Sequence, residues 1–113
     1  THLVNTVSDG IAIAERIGSP CIKVLADTFH MSIEEDDLGS SILAASQWIA
    51  HVHLADNQRA QPGTGMIDFP TVFAALHKIG YDGSMALECR FRGDPTTALH
   101  ETNRYLRTAR TSR

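Results

Sequence analysis

The sequence predicts an α/β fold of parallel βα units, with three strands and about four helices, amounting to half of an eight-stranded barrel. Three observations carry that expectation. Helical and strand-like segments alternate in the order αβαβαβα. The strand-like runs are short and apolar, as strands buried in parallel sheets are. Asp27, His53 and Glu88 stand at the C-terminal ends of the three runs, about one βα unit apart. Strands joined through helices imply right-handed crossovers in one sheet. Three strands are too few to close a barrel of eight. The chain therefore reads as half a barrel, or as part of a longer protein, in one domain spanning residues 1–113. A small open three-stranded sheet is the structural alternative.

The elements follow in order. From Thr6 to Ile17, Val7, Ile11, Ala14 and Ile17 recur at helical spacing. Gly18 suits the helix end, and Pro20 blocks continuation. Cys21 to Ala26 is the first strand, ending at Asp27. Thr28 to Asp37 reads as a loop whose acidic residues Glu34, Glu35, Asp36 and Asp37 suit a solvated face or a helix start. Leu38 to Ile49 reads as a helix with Ile42, Ala45 and Ile49 on one face. Ala50 to Ala55 is the second strand. A polar loop, Asp56 to Ile67, contains Pro62-Gly63-Thr64-Gly65. Asp68 then caps a helix with Pro70 in its first turn and Gly80 at its end. Tyr81-Asp82-Gly83 is a turn, and Ser84 to Leu87 is the third strand. Asp94-Pro95 repeats the cap-then-proline signal for a last helix to about Arg107.

Composition bounds the function. Of 113 residues, 42% are hydrophobic and 20% charged, with net charge −3, the profile of a soluble globular domain. No run of basic residues supplies a nucleic-acid footprint; Arg104, Arg107, Arg110 and Arg113 fit a solvated helix face or tail. No apolar run approaches the roughly 20 residues of a membrane span, and no secretory signal opens the chain. A cytoplasmic protein is expected, with Cys21 and Cys89 as buried free thiols.

Asp27, His53 and Glu88 form the candidate site. Parallel strand ends converge on one mouth of a barrel, where active sites lie. Two hard oxygen ligands and an imidazole suit Mn²⁺, Mg²⁺, Co²⁺ or Zn²⁺. His30 and Arg59, in the loops after the first and second strands, are suitable donors to sugar oxygens. His51 shares a strand face with His53 and reads as a packed or supporting histidine. His2, His77 and His100 read as surface residues.

The stretches Asp27-Thr28-Phe29-His30-Met31, His51-Val52-His53-Leu54-Ala55-Asp56-Asn57-Gln58-Arg59, Pro62-Gly63-Thr64-Gly65-Met66-Ile67-Asp68, Ile79-Gly80-Tyr81-Asp82-Gly83 and Leu87-Glu88 together resemble the sugar phosphate isomerase/epimerase superfamily. This is the xylose isomerase-like TIM barrel group, and the order and spacing are most similar to D-tagatose and D-psicose 3-epimerases. Hydroxypyruvate isomerase and inosose dehydratase are relatives within the group. The resemblance covers nearly the whole chain and implies a C-terminal half-barrel. It implies that Asp27, His53 and Glu88 are three of four metal ligands, and that His30 and Arg59 bind substrate. It further implies that Glu88 is one of two glutamates that move a proton through an enediolate. The other glutamate would lie on a strand before Thr1, so the chain is expected to need an N-terminal half or to oligomerise. The substrate class implied is a small sugar or sugar phosphate. A dehydratase, a metal-dependent endonuclease, and a non-catalytic fragment or metal-binding module are the competing functions. The endonuclease would need more His and Asp ligands than the chain provides.

Overall fold

A computed structural model describes residues 3–112; His2 and Arg113 lie outside them. The first helix, α1 (Val7–Ile17), opens on a capping box. The Thr6 side chain takes the Asp9 N–H, and the Asp9 carboxylate takes the Thr6 N–H, which satisfies two otherwise orphaned donors. Gly18 closes the helix at φ 71°, a left-handed conformation that glycine adopts without a Cβ penalty.

The first strand, β1 (Val24–Asp27), is shorter than the apolar run suggests. Ser19 folds the preceding residues into a turn, its carbonyl taking the Ile22 N–H and its hydroxyl the Cys21 N–H. Cys21 is consequently exposed, and only Cys89 is partly buried; both thiols are free. The expected loop after Asp27 is instead a helix, α2 (Thr28–Glu34). Asp27 is its N-cap, so the residue that ends the strand also starts the helix.

Helix α3 (Leu38–Ala45) is capped by Asp37 and buries Gly39, Ile42 and Ala45 at helical spacing. It stops earlier than expected because Ser46 leaves the helical region at φ 48°. A 3₁₀ turn (Ser46–Trp48) follows, and Ile49 begins β2 (Ile49–Leu54) rather than ending the helix. A second 3₁₀ turn (Asn57–Arg59) precedes α4 (Phe69–Lys78), which has Asp68 as N-cap and proline in its first turn. Strand β3 (Met85–Leu87) and α5 (Pro95–Thr111), capped by Asp94, complete the chain. There are thus five α-helices among the described residues, α2 being the one the sequence concealed.

The three strands form one parallel sheet in the order β1-β2-β3. Strand alternation divides its residues. Ala26, Val52 and Leu54 are buried with Ile42, Phe69, Val72 and Leu76 in the helix-covered core. Leu25, Asp27, His51, His53 and Ala86 share the other face, as the pairings Leu25 with His51, Asp27 with His53 and His53 with Ala86 require. That face is open: Leu25 is 48% exposed, and Ala86 is exposed. No helix is long and apolar enough to cross a membrane among the described residues.

Candidate functional site

The site begins at the ends of β1 and β2. Thr28 is buried, and its hydroxyl bridges both backbone groups of Ala55. The two strand tips are thereby tied beyond the last ladder pair, Asp27 with His53. On the far side, Glu88 N–H donates to the Leu54 carbonyl at 3.1 Å. An isolated parallel bridge, Ala60 with Arg90, carries the pairing further.

Asp27 divides its two oxygens between structure and site. Oδ1 accepts the N–H groups of Phe29 at 3.0 Å and His30 at 3.2 Å, capping α2. Oδ2 accepts Arg59 Nη1 at 2.8 Å and lies 3.5 Å from His53 Nδ1. Its side chain is 9% exposed, whereas those of Arg59 and His53 are 23% and 24% exposed.

Arg59 is the hub of the cluster. Nη1 also donates to the Glu88 carbonyl at 3.0 Å, and Nη2 lies 2.9 Å from His30 Nε2. A guanidinium can only donate, so His30 accepts at Nε2 and carries its proton on Nδ1. The guanidinium stacks on Phe29, 4.4 Å from the ring centroid. Both Gln58 and Arg59 have left-handed backbones, at φ 61° and 60°. Such conformations are costly for non-glycine residues and persist where neighbours impose them. Here Arg90 N–H holds the Arg59 carbonyl at 2.8 Å, and the Arg92 guanidinium holds the Gln58 side chain at 3.2 Å.

Asp27, His30, His53, Arg59 and Glu88 all line one cavity of about 450 Å³, which Glu34 also lines. The five residues singled out in the sequence therefore share one mouth. The donor chemistry of Asp27 and His53 fits a divalent ion: two ligand atoms about 2.1 Å from an ion at a tetrahedral angle lie about 3.4 Å apart. Glu88 is exposed at the same cavity. Its carboxylate does not complete a cluster, since no three His, Cys, Asp or Glu side chains among the described residues stand together as a metal cage. His51 hydrogen-bonds Ser84 Oγ through Nδ1 at 2.8 Å and meets the His53 ring edge-on, at 5.0 Å between centroids. It thus supports His53 from below. Beside Glu88, burial chiefly pushes the Cys89 thiol up, with Arg59 opposing and Glu88 reinforcing the shift. A thiol so shifted is a weak nucleophile at neutral pH.

Two residues beyond the sequence-derived set organise the site. Thr28 is one. Asp56, with no exposure at all, is the other. Its carboxylate accepts four backbone N–H groups at 3.0 Å: Asn57 and Ile67 on Oδ1, Gly63 and Gly65 on Oδ2. That fold returns the loop after Arg59 to α4. A Cβ at Gly65 would collide with the side chains of Asp56 and Asn57, so the loop needs glycine there. An acidic residue followed by a Gly-x-Gly turn was the available signal. Glu35, at the C-cap of α2, is similarly occupied. Glu35 accepts Val7 N–H on Oε2 and Ser41 Oγ on Oε1, both at 3.0 Å, pinning α1 to α3.

Three comparisons bear on this geometry. A ketose 3-epimerase of Arthrobacter globiformis is 40% identical over 88 residues, covering 78% of this chain and 30% of that protein. The 3-dehydro-D-guloside 4-epimerase of Escherichia coli K12 is 35% identical over 108 residues, covering 95% of this chain and 41% of that one. Among solved structures, D-psicose 3-epimerase with D-tagatose from Clostridium cellulolyticum H10 superposes with a TM-score of 0.86 at 30% identity, covering 99% of this chain and 45% of that one. The chain thus spans less than half the length of these sugar epimerases, to which it is related. Residues 1–109 match the family model, and with three parallel strands whose C-terminal ends meet at one cavity, the chain belongs to the xylose isomerase-like TIM barrel family.

Proposed function

We propose that this chain carries part of the active site of a metal-dependent sugar isomerase or epimerase, acting on a ketose or sugar phosphate by proton transfer through an enediolate. The observation that carries the reading is the shared cavity of Asp27, His30, His53, Arg59 and Glu88 at the strand ends, in a chain related to sugar epimerases. Asp27 through Oδ2 and His53 through Nδ1 would hold a divalent ion of the Mn²⁺, Mg²⁺, Co²⁺ or Zn²⁺ class, with Glu88 as third ligand once the barrel is complete. Such an ion would supply Lewis-acid polarisation of a carbonyl and its neighbouring hydroxyl. Glu88 would move the carbon-bound proton on one face, and inversion needs a second acid–base group on the other. His30 and Arg59 would bind substrate oxygens, the Arg59 guanidinium stabilising developing negative charge. A partner half-barrel, or a second copy, would supply the remaining strands and groups. A hydroxypyruvate isomerase or inosose dehydratase would use the same residues on another substrate.

The metal part of this reading is tested by titrating the chain with Co²⁺ and following its visible absorption. Asp27→Asn and His53→Ala should each weaken binding by more than the roughly 10–100-fold typical of changes outside the ligand set. Binding left unchanged by both substitutions would remove the metal site from this cavity.

A further inference from the structure

We infer that Arg59 and a divalent cation compete for Oδ2 of Asp27, so that metal binding frees the guanidinium for substrate and couples the two binding events. The inference rests on the metal site proposed above and adds its regulation. Because Oδ1 of Asp27 is consumed by the N–H groups of Phe29 and His30, Oδ2 is the oxygen that faces the cavity. Arg59 Nη1 already donates to it at 2.8 Å. An ion placed between Oδ2 and His53 Nδ1 would bring a double positive charge within a few ångström of that guanidinium. In a half-buried site, little solvent screens the repulsion. Each cation would therefore weaken the other's hold on Oδ2.

Arg59 is built to yield without leaving. Its backbone is held in a left-handed conformation by Arg90 N–H, independently of Asp27. Its Nη2 contact to His30 and its stacking on Phe29 also do not involve Asp27. A guanidinium released from Oδ2 keeps these tethers and presents free N–H donors to the cavity, where a sugar oxygen could take them. Linkage makes the effect reciprocal: a substrate that engages Arg59 draws it off Asp27 and tightens metal binding by the same factor.

The two possible roles of Arg59 predict opposite signs. A residue that merely orients Asp27 from outside the ligand set would, on removal, weaken metal binding by about 10–100-fold. A competitor would, on removal, strengthen it. Mn²⁺ titrations of the full chain, read by the electron paramagnetic resonance of free Mn²⁺, should show Arg59→Gln binding roughly tenfold more tightly than the parent, the factor that about 1.4 kcal/mol represents. Arg59→Lys keeps the charge without the planar fork and should fall between them. In the parent chain, saturation with Zn²⁺ should change the Arg59 side-chain nitrogen NMR signals as the Asp27 contact breaks. Equal or weaker Mn²⁺ binding by Arg59→Gln, with Asp27→Asn still abolishing it, overturns the competition and leaves the metal site standing. No Mn²⁺ binding at Asp27 in either protein overturns both. Should Arg59→Gln fail to fold, the parent's NMR signals decide: unchanged signals at Zn²⁺ saturation overturn the competition.

Discussion

The hydroxyl of Thr28 donates to the carbonyl of Ala55 at 2.6 Å and accepts the Ala55 N–H at 2.9 Å. One side chain thereby replaces the next rung of the parallel ladder. It holds the tips of β1 and β2 at the spacing that puts Asp27 against His53. Thr28→Val keeps the shape but leaves both buried backbone groups of Ala55 unpaired. Urea denaturation should show a loss of about 2–3 kcal/mol, the cost of buried unsatisfied polar groups. Thr28→Ser, which restores the hydroxyl, should recover most of it.

Asp56 should prove more costly to change than any residue lining the cavity. Its carboxylate closes the 57–67 loop through four backbone donors. Asp56→Ala strands those donors, and a loss of at least about 3 kcal/mol is expected. Hydrogen exchange should localise the damage, with the amides of Gly63, Gly65 and Ile67 losing protection before those of β2. Gly65→Ala should mimic the effect, since its Cβ would collide with the same carboxylate.

Acid should loosen the helix ends before it touches the core. The Thr6 backbone holds the Asp9 carboxyl below its ordinary value, the Ser40 side chain and amide do so for Asp37, and the Thr97 backbone and hydroxyl for Asp94. A carboxyl whose folded-state pKa is depressed stabilises the fold fully above its unfolded value, about 3.9. That stabilisation is lost as the pH falls through the lowered folded-state value. Urea midpoints should therefore decline as the pH falls below about 4. The triple substitution Asp9→Asn, Asp37→Asn and Asp94→Asn should flatten that decline, because asparagine caps without titrating.

The open face of the sheet should drive association. Leu25, 48% exposed, lies there near the exposed Ala86, and among the described residues β1 and β3 are the edge strands of the three-stranded sheet. Unpaired edges and uncovered apolar surface favour pairing with another chain. Sedimentation should show concentration-dependent association, reduced by Leu25→Glu. A monomer at all concentrations, unaffected by that substitution, would count against a barrel surface awaiting its complement.

Much of this was legible in the sequence. The parallel βα order was, because each strand is an apolar run and two of the helices open on a cap-then-proline signal, at Asp68 and Asp94. The five cavity residues were, because strand ends in such folds share one mouth. Helix α2 was not: its seven residues carry no long apolar period, and its cap, Asp27, was already read as a strand end. Ile49 fitted the helical period of α3, and only the left-handed turn at Ser46 moves it into β2. Cys21 belonged to an apolar run whose first half a Ser19 turn exposes. The ties made by Thr28 and Glu35 join residues that patterning does not connect, so no local signal announced them; for Asp56 only the Gly-x-Gly turn that follows it was a signal.

On the proposed function, Glu88 would move a proton on a sugar whose oxygens His30 and Arg59 bind, beside a divalent ion held by Asp27 and His53. By itself the chain should show no appreciable turnover, because only one of the two acid–base groups is assigned within it. The most direct measurement joins this chain to the N-terminal portion of a related ketose 3-epimerase and follows epimerisation of a ketose in deuterated water with Mn²⁺. The joined protein is predicted to turn over with deuterium entering at the inverted carbon, and Glu88→Gln to reduce that rate at least 10²-fold, the lower range for a general acid–base group. A folded, metal-loaded protein whose Glu88→Gln form turns over as fast as its parent would contradict the account.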